Sequence, residues 1–373
     1  MSFTRDDVEQ ILAEIARFAT DRIAAATARP EAALSPRALD ELTQEAAELG
    51  LLTSSDAEEG FGLWSSADAA EGMALNIGLL QILGQANAGI AYHWHRLAIA
   101  SVVARRLGVG LSEGALFIPT GHFGLAHGGL AKYLQTGATS AEEENAVSDW
   151  FDRREKSVIA FGPETWRQVL WPVWSGAGIA WRTDPRDMLD VTVRTKAHGF
   201  DELAAFEIRR GANSDDDGII TTEDSAQIYL RALKMDAIGL MAVAAGAARH
   251  TQSYAENYVA IRKQGGQLIG RHPAVQLAIG EIESACALAE GVLRKFERPI
   301  DDIDLGDVVA SRIMLHPALR HAANQSMQSH GGIGYMRDTG PEKILRDENM
   351  LSMALGGMRA GALFVAAWRN AKA

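Results

Sequence analysis

Thr221-Thr-Glu-Asp-Ser-Ala-Gln-Ile-Tyr-Leu-Arg231 opens a run of apolar residues at helical spacing that meets no proline and no glycine pair until Gly265-Gly266. Its polar start offers side-chain acceptors to the unpaired N–H groups of a first helical turn. A helix of that extent approaches about 60 Å at 1.5 Å per residue. A second helix opens at His272-Pro273 and ends before Pro299, a third runs from about Leu305 to His330 with Pro317 placed to kink it, and a last fills Leu351 to Arg369. Four long helices with short connections predict an up-and-down bundle over residues 223–373.

Ahead of the bundle the composition shifts. Ser157-Val-Ile-Ala-Phe161, Gly178-Ile-Ala-Trp181, Leu189-Asp-Val-Thr-Val-Arg194 and Ala204-Ala-Phe-Glu-Ile208 have strand length and strand residues, punctuated by glycine and proline. They predict a small β domain over 156–222, separated from the bundle by Asn213-Ser-Asp-Asp-Asp-Gly218. Residues 1–155 read as a helical domain. Val8, Ile11, Leu12, Ile15, Phe18 and Ile23, then Leu39, Leu42, Ala46 and Leu49, recur at three- and four-residue steps. Ser35-Pro36 opens the second of these helices, Gly60-Phe-Gly62 breaks the pattern, and Ala67 to Leu107 resumes it. Signals weaken from Leu111 to Glu155, where Glu142-Glu-Glu-Asn-Ala-Val-Ser-Asp149 reads as an acidic loop or helix start. The expected fold class is α+β, mainly α, in the order helical, β, helical.

The 373 residues suit two or three domains at about 150 each. A net charge of -12 argues against nucleic acid as a partner, which would call for a basic face. The single cysteine, Cys286, lies in an apolar helical run and cannot form an internal disulfide. The polar, acidic start from Met1 to Gln10 is unlike a secretory signal. The longest weakly polar run, Met235 to Ala248, is interrupted by Asp236 and falls short of the roughly 20 apolar residues a bilayer span needs. A cytoplasmic location and no membrane segment are expected. His93 and His95, two apart, point to different faces of a helix, and His316 and His321, five apart, also diverge, so no metal site is expected. Walker, Cys-x-x-Cys, His-Glu-x-x-His and Gly-x-Ser-x-Gly patterns are missing from the sequence.

Gln328-Ser-His-Gly-Gly-Ile-Gly-Tyr335, followed by Met336-Arg-Asp338 and Pro341-Glu-Lys-Ile-Leu-Arg-Asp347, sets glycines densely against a helix end. Because it follows a helix rather than a strand, a Rossmann site is disfavoured. Such glycines let backbone N–H groups approach phosphate oxygens without a Cβ clash. A planar guanidinium such as Arg262 can bind a pyrophosphate through paired charge-assisted hydrogen bonds. The plainer alternative is that Gly331-Gly332 only caps a helix and Arg262 is a solvated helix residue.

These segments together resemble the carboxyl-terminal signature of the acyl-CoA dehydrogenase family, best from about Arg231 to Arg369 and moderately over residues 1–110. Tyr258-Val-Ala-Ile-Arg-Lys-Gln-Gly-Gly-Gln267, with His272-Pro-Ala-Val-Gln276, is similar to the family segment whose arginine reaches the FAD of a neighbouring subunit, and the matching arginine is Arg262. Gln328, Ser329, Gly331 and Gly332 correspond to the residues that meet the adenine-diphosphate half of the flavin across the interface. The resemblance implies FAD as cofactor, an acyl-CoA substrate dehydrogenated between its α and β carbons, and a homo-oligomer or a heteromer with a related subunit.

Where the family keeps Glu-Gly-Thr/Ser, with the carboxylate as base, the corresponding stretch is Leu355-Gly356-Gly357-Met358. A leucine cannot accept a proton. The region that carries the base in other members matches Gln227-Ile-Tyr-Leu-Arg231, which has no carboxylate. Loss of a positioned general base costs roughly 10² to 10⁴ in rate. Phe161-Gly-Pro-Glu-Thr-Trp166 is the one trace of the family's flavin-covering motif. Trp166, Trp171, Trp174 and Trp181 crowd this region, either as core or as stacking partners for an isoalloxazine ring. No catalytic residue is assigned. Three readings stay open: a partner subunit brings the base, Asp236 or Glu348 acts as a relocated base in a homo-oligomer, or the chain is a helical scaffold without cofactor.

Overall fold

The computed structural model describes every residue except 1–2, 33, 54–60, 113, 122–124, 126–127, 177, 195–196, 212–217 and 373. Gly60 and residues 213–217, taken above as breaks, therefore lie outside the described residues. The chain begins with α1 (Arg5–Phe18), opened by a reciprocal Thr4–Asp7 capping box, and a π-helical turn over Ala19–Ala24. In α2 (Pro36–Glu48), Ser35 caps Ala38 N and proline fills the first turn. The next pair, α3 (Ala70–Ala86) and α4 (Ala88–Leu107), is apolar on nearly all faces and correspondingly buried. Asn87, extended at φ -164° and ψ 117°, ends one helix and caps the next by accepting from Ile90 N.

The stretch with few sequence signals holds β1 (Leu116–Phe117), α5 (Gly128–Thr136) and α6 (Ala141–Phe151), the last opened by a Ser140–Glu143 capping box. The β region contains β2 (Val158–Gly162), β3 (Gln168–Ser175), β4 (Gly178–Pro185), β5 (Leu189–Arg194), β6 (Ala204–Arg210) and β7 (Ile219–Ile220). One sheet has the order β1-β3-β4-β7 and the other β2-β6-β5. β1 reaches back to pair in parallel with Val169 and Leu170 of β3, so the first part of the chain contributes a strand to the sheet. β3, which is not among the strands quoted above, carries Pro172 in its middle. It is tolerated there because β1 pairs only with Val169 and Leu170, leaving the Pro172 edge beyond its end.

The carboxyl-terminal part is built on α7 (Ser225–Ile261), 37 residues long. From Arg231 to Ala248 all of its residues are buried, which explains a stretch that is apolar apart from Arg231, Lys234 and Asp236. α3, α8 (Pro273–Arg294), α9 (Leu305–Ser329) and α10 (Pro341–Met353) pack around it. Arg262 leaves the helix at ψ 129°, ahead of a hairpin of β8 (Lys263–Gln264) and β9 (Gln267–Leu268). Gly265 and Gly266, at φ 61° and 80°, supply the two left-handed residues that this tight turn demands.

The expectation of one last helix from Leu351 to Arg369 is corrected. α10 stops at Met353, Leu355 sits at φ 58°, and α11 (Gly357–Lys372) starts after Gly356 at φ 91° and Gly357 at φ 72°. Successive left-handed residues cannot continue an α-helix, and Arg312 of α9 donates to the carbonyls of Ser352 (3.0 Å) and Ala354 that the break releases. The span Pro341–Lys372 is apolar enough by length and composition to cross a membrane, yet it is two helices, and α11 packs on α5 and α9.

Candidate cofactor site

The two segments picked out for phosphate binding come together at one end of the bundle. Arg262 ends α7, and Gln328, Ser329, Gly331 and Gly332 end α9. Tyr258, one turn before Arg262, stacks on His330, whose ring lies 4.3 Å away at 23°. Arg262 is exposed, and its guanidinium has no hydrogen-bond or ion-pair partner among the described residues. Gln328 is exposed and donates to the Tyr335 hydroxyl, while Ser329 turns inward to donate to Gln325 O at 2.8 Å. Ser329 is thus the least available of the five. His272, read above as a helix start, braces the hairpin beside Arg262 with its Nε2 3.1 Å from Gln264 O.

Three glycines here have three separate causes. Gly331 sits at φ 63°, and Gly334 packs so closely that a Cβ would lie 2.2 Å from Met327 O. Gly332 has an ordinary φ, and a Cβ there would meet nothing within 4 Å. Nothing within the chain requires glycine at 332, which suits close approach from outside. Ile261, Ile333, Tyr335 and Met336 are 76%, 46%, 54% and 55% exposed, so the open cation and the glycine turn are rimmed by apolar surface. A free guanidinium, open backbone donors and an apolar rim fit a dinucleotide covered by a second protein surface.

Arg346 and Asp347 of the signature do a different task. Arg346 donates to Asp201 at 2.7 and 2.8 Å, Asp347 accepts from Phe200 N at 2.8 Å, and Lys343 lies between Asp347 (2.5 Å) and Glu202 (3.1 Å). These buried contacts lock α10 to the segment before β6 and hold Phe200 at φ 58°. Leu355, at the start of the break they support, is 3% exposed and part of the main core.

Neither alternative base is poised to take a proton. Asp236 on α7 is fully buried and accepts from Arg96 of α4 at 3.1 and 3.0 Å. His95 Nε2 lies 3.3 Å from the same carboxylate, out of line for a full hydrogen bond, while its Nδ1 accepts from Trp64 Nε1 at 3.0 Å. Burial drives the Asp236 carboxyl upward, but the Arg96 charge and the His95 contact outweigh it and hold the group at about 2. Glu348 on α10 is fully buried with neither oxygen hydrogen-bonded, and burial, with Asp347 nearby, pushes it well above the usual carboxylate range. One is a carboxylate committed to a cation; the other is sealed in the core. Beyond the adjacent pair His95-Arg96, no local pattern announces the Trp64–His95–Asp236–Arg96 cluster.

The tryptophans are packing residues. Trp166, Trp171 and Trp181 are at most 1% exposed, Trp171 Nε1 donates to Asp184 at 2.8 Å, and Trp181 Nε1 to Ser225 O at 3.2 Å. His93 is likewise buried on α4, and burial pulls it down to about 4. Among the described residues, no three His, Cys, Asp or Glu side chains gather in a way that could hold a metal.

Residues 226–360 match the family model "Acyl-CoA dehydrogenase, C-terminal domain". Over 144 residues the chain is 27% identical to a probable acyl-CoA dehydrogenase, YngJ, of Bacillus subtilis (strain 168), a match that spans 37% of each chain. Full-length likeness is seen in solved structures. The prolyl acyl carrier protein oxidase AnaB superposes with a TM-score of 0.73 at 14% identity, covering 98% of this chain and 99% of that one. Butyryl-CoA dehydrogenase from Megasphaera elsdenii gives 0.68 at 14% identity over 98% and 99%. Residues 226–360 thus match the acyl-CoA dehydrogenase carboxyl-terminal domain, and over its whole length the chain has an acyl-CoA dehydrogenase-like fold.

Proposed function

We propose that this chain is an FAD-dependent oxidoreductase subunit, cytoplasmic, that takes part in the α,β-dehydrogenation of an acyl-CoA thioester and relies on a related partner subunit for the catalytic base. Family members bind FAD, act on acyl-CoA and form oligomers. The observation that supports the reading is the Tyr258–His330 stack, which brings the end of α7 that carries Arg262 beside the end of α9 that carries Gln328 and leads into Gly331 and Gly332, with exposed apolar side chains nearby. Arg262 would hold the diphosphate, with the N–H groups of the Gly331–Gly332 turn as further donors. Bound there, FAD would supply an acceptor for hydride from the β carbon of the thioester. The α proton needs a carboxylate, and this chain has Leu355 at the family's usual position while Asp236 and Glu348 are sequestered. A partner's carboxylate answers that lack.

Co-expression with related family subunits tests the reading. The expected result is a heteromer that holds FAD and reduces it on adding an acyl-CoA, with the isolated chain inactive. Full activity of the isolated chain overturns the partner requirement, and a protein without flavin in every combination overturns the cofactor.

A further inference from the structure

The stack between Tyr258 and His330 joins the ends of two helices at the point where each offers its part of the site. Tyr258 lies four residues before Arg262, on the same face of α7. His330 directly precedes Gly331. The rings are nearly parallel with centroids 4.3 Å apart. Tyr254, a further turn back on α7, meets His330 edge-on at 6.4 Å, and His250 stacks on Tyr254 at 4.7 Å. His330 is held from its own helix as well, with Nδ1 2.7 Å from Ser326 O. That contact needs a proton on Nδ1. Burial lowers the ring's proton affinity, against the contact to Ser326 O, which raises it.

Arg262 itself has no other tie to α9 among the described contacts. We infer that His330 and Tyr258 are positioning residues whose stack sets Arg262 against the Gly331–Gly332 turn, so that the diphosphate grip is formed before the dinucleotide arrives. The purpose of the stack rests on the cofactor reading above, whereas its existence as a clamp does not. A pre-formed site loses less freedom on binding than one assembled by its ligand.

Amide hydrogen exchange over residues 331–334, without nucleotide, reads the clamp directly. An aromatic pair contributes on the order of a 3- to 10-fold change in a local equilibrium. Exchange should therefore speed up about 3- to 10-fold in His330→Leu and return close to wild type in His330→Phe. Both variants lose the bond to Ser326 O and keep apolar volume, so their difference isolates the stack. Tyr258→Leu and Tyr258→Phe repeat the comparison from the other helix if a change at 330 prevents folding. Titration with ADP, as a probe of the diphosphate grip, should weaken by a similar factor in the leucine variants only. If leucine and phenylalanine behave alike in both measurements, the side chains merely fill space and the inference is overturned. If exchange follows the prediction but ADP does not bind the wild type, the clamp stands and the cofactor reading falls.

Discussion

Replacing Asp236 with asparagine keeps the shape of the side chain and removes its charge. The carboxylate has no exposed surface and holds Arg96, whose side chain is 13% exposed, through two hydrogen bonds. The variant leaves a guanidinium nearly enclosed without a counter-charge, and breaking such a pair costs about 3–5 kcal/mol. At about 2.1 cal/mol/K per residue, unfolding entropy for 373 residues is about 0.8 kcal/mol/K, so the melting temperature should fall by about 4–6 °C. Calorimetry of Asp236→Asn beside Asp236→Asn/Arg96→Met checks this. The double variant should recover much of the loss, because no charge is then left unpaired. The same protein tests the relocated base, since flavin content and partner-dependent activity should survive the substitution wherever the fold does. A melting temperature within one degree of wild type, or complete loss of flavin reduction in a folded, flavin-bearing variant, refutes the assignment of Asp236 as a structural ion.

Acid should reveal the same group. Its folded value of about 2 lies below the ordinary 3.8, so its stabilisation of about 2 kcal/mol is present above pH 4 and fades as pH falls toward 2; Asp236→Asn should flatten that limb of a stability–pH curve. Glu348 runs the opposite way. Raised well above 4.5, it favours the fold in acid and weakens it as pH rises through 4.5 toward its folded value, so Glu348→Gln should raise the urea midpoint at about pH 8 and change little at about pH 4. Arg262→Ala should alter stability by no more than about 0.5 kcal/mol, yet weaken FAD binding by about 1.5–3 kcal/mol, or roughly 10- to 150-fold, as read by flavin fluorescence. Gly331→Ala should cost about 1–2 kcal/mol from its left-handed backbone, whereas Gly332→Ala should leave the melting temperature unchanged and weaken the dinucleotide, separating strain from approach.

Much of the fold was legible because long buried helices declare themselves. α7 is almost wholly apolar over the part that is buried on all sides, and Pro273 and Ser35 mark helix starts at the residues the structure uses. The misses have local causes. β3 was not among the strands quoted from the sequence, and it accommodates Pro172 because its neighbour β1 is only two residues long. The break at Leu355 was hidden because a leucine in left-handed conformation leaves no compositional trace, although Gly356-Gly357 beside it did. Of the site, Arg262 and the glycine turn were visible as types suited to phosphate. That His330 completes the contact depends on two helices meeting at their ends, which no local pattern encodes.

The grip on the diphosphate is the claim from which the rest follows, and a comparative titration tests it most directly. The chain, alone and with a co-expressed related subunit, is titrated with FAD and with riboflavin, which carries the same ring system and no phosphate. The account predicts that FAD binds, that riboflavin binds far more weakly, and that Arg262→Ala removes most of the difference between them. Equal binding of the two, or binding of neither in both preparations, contradicts it.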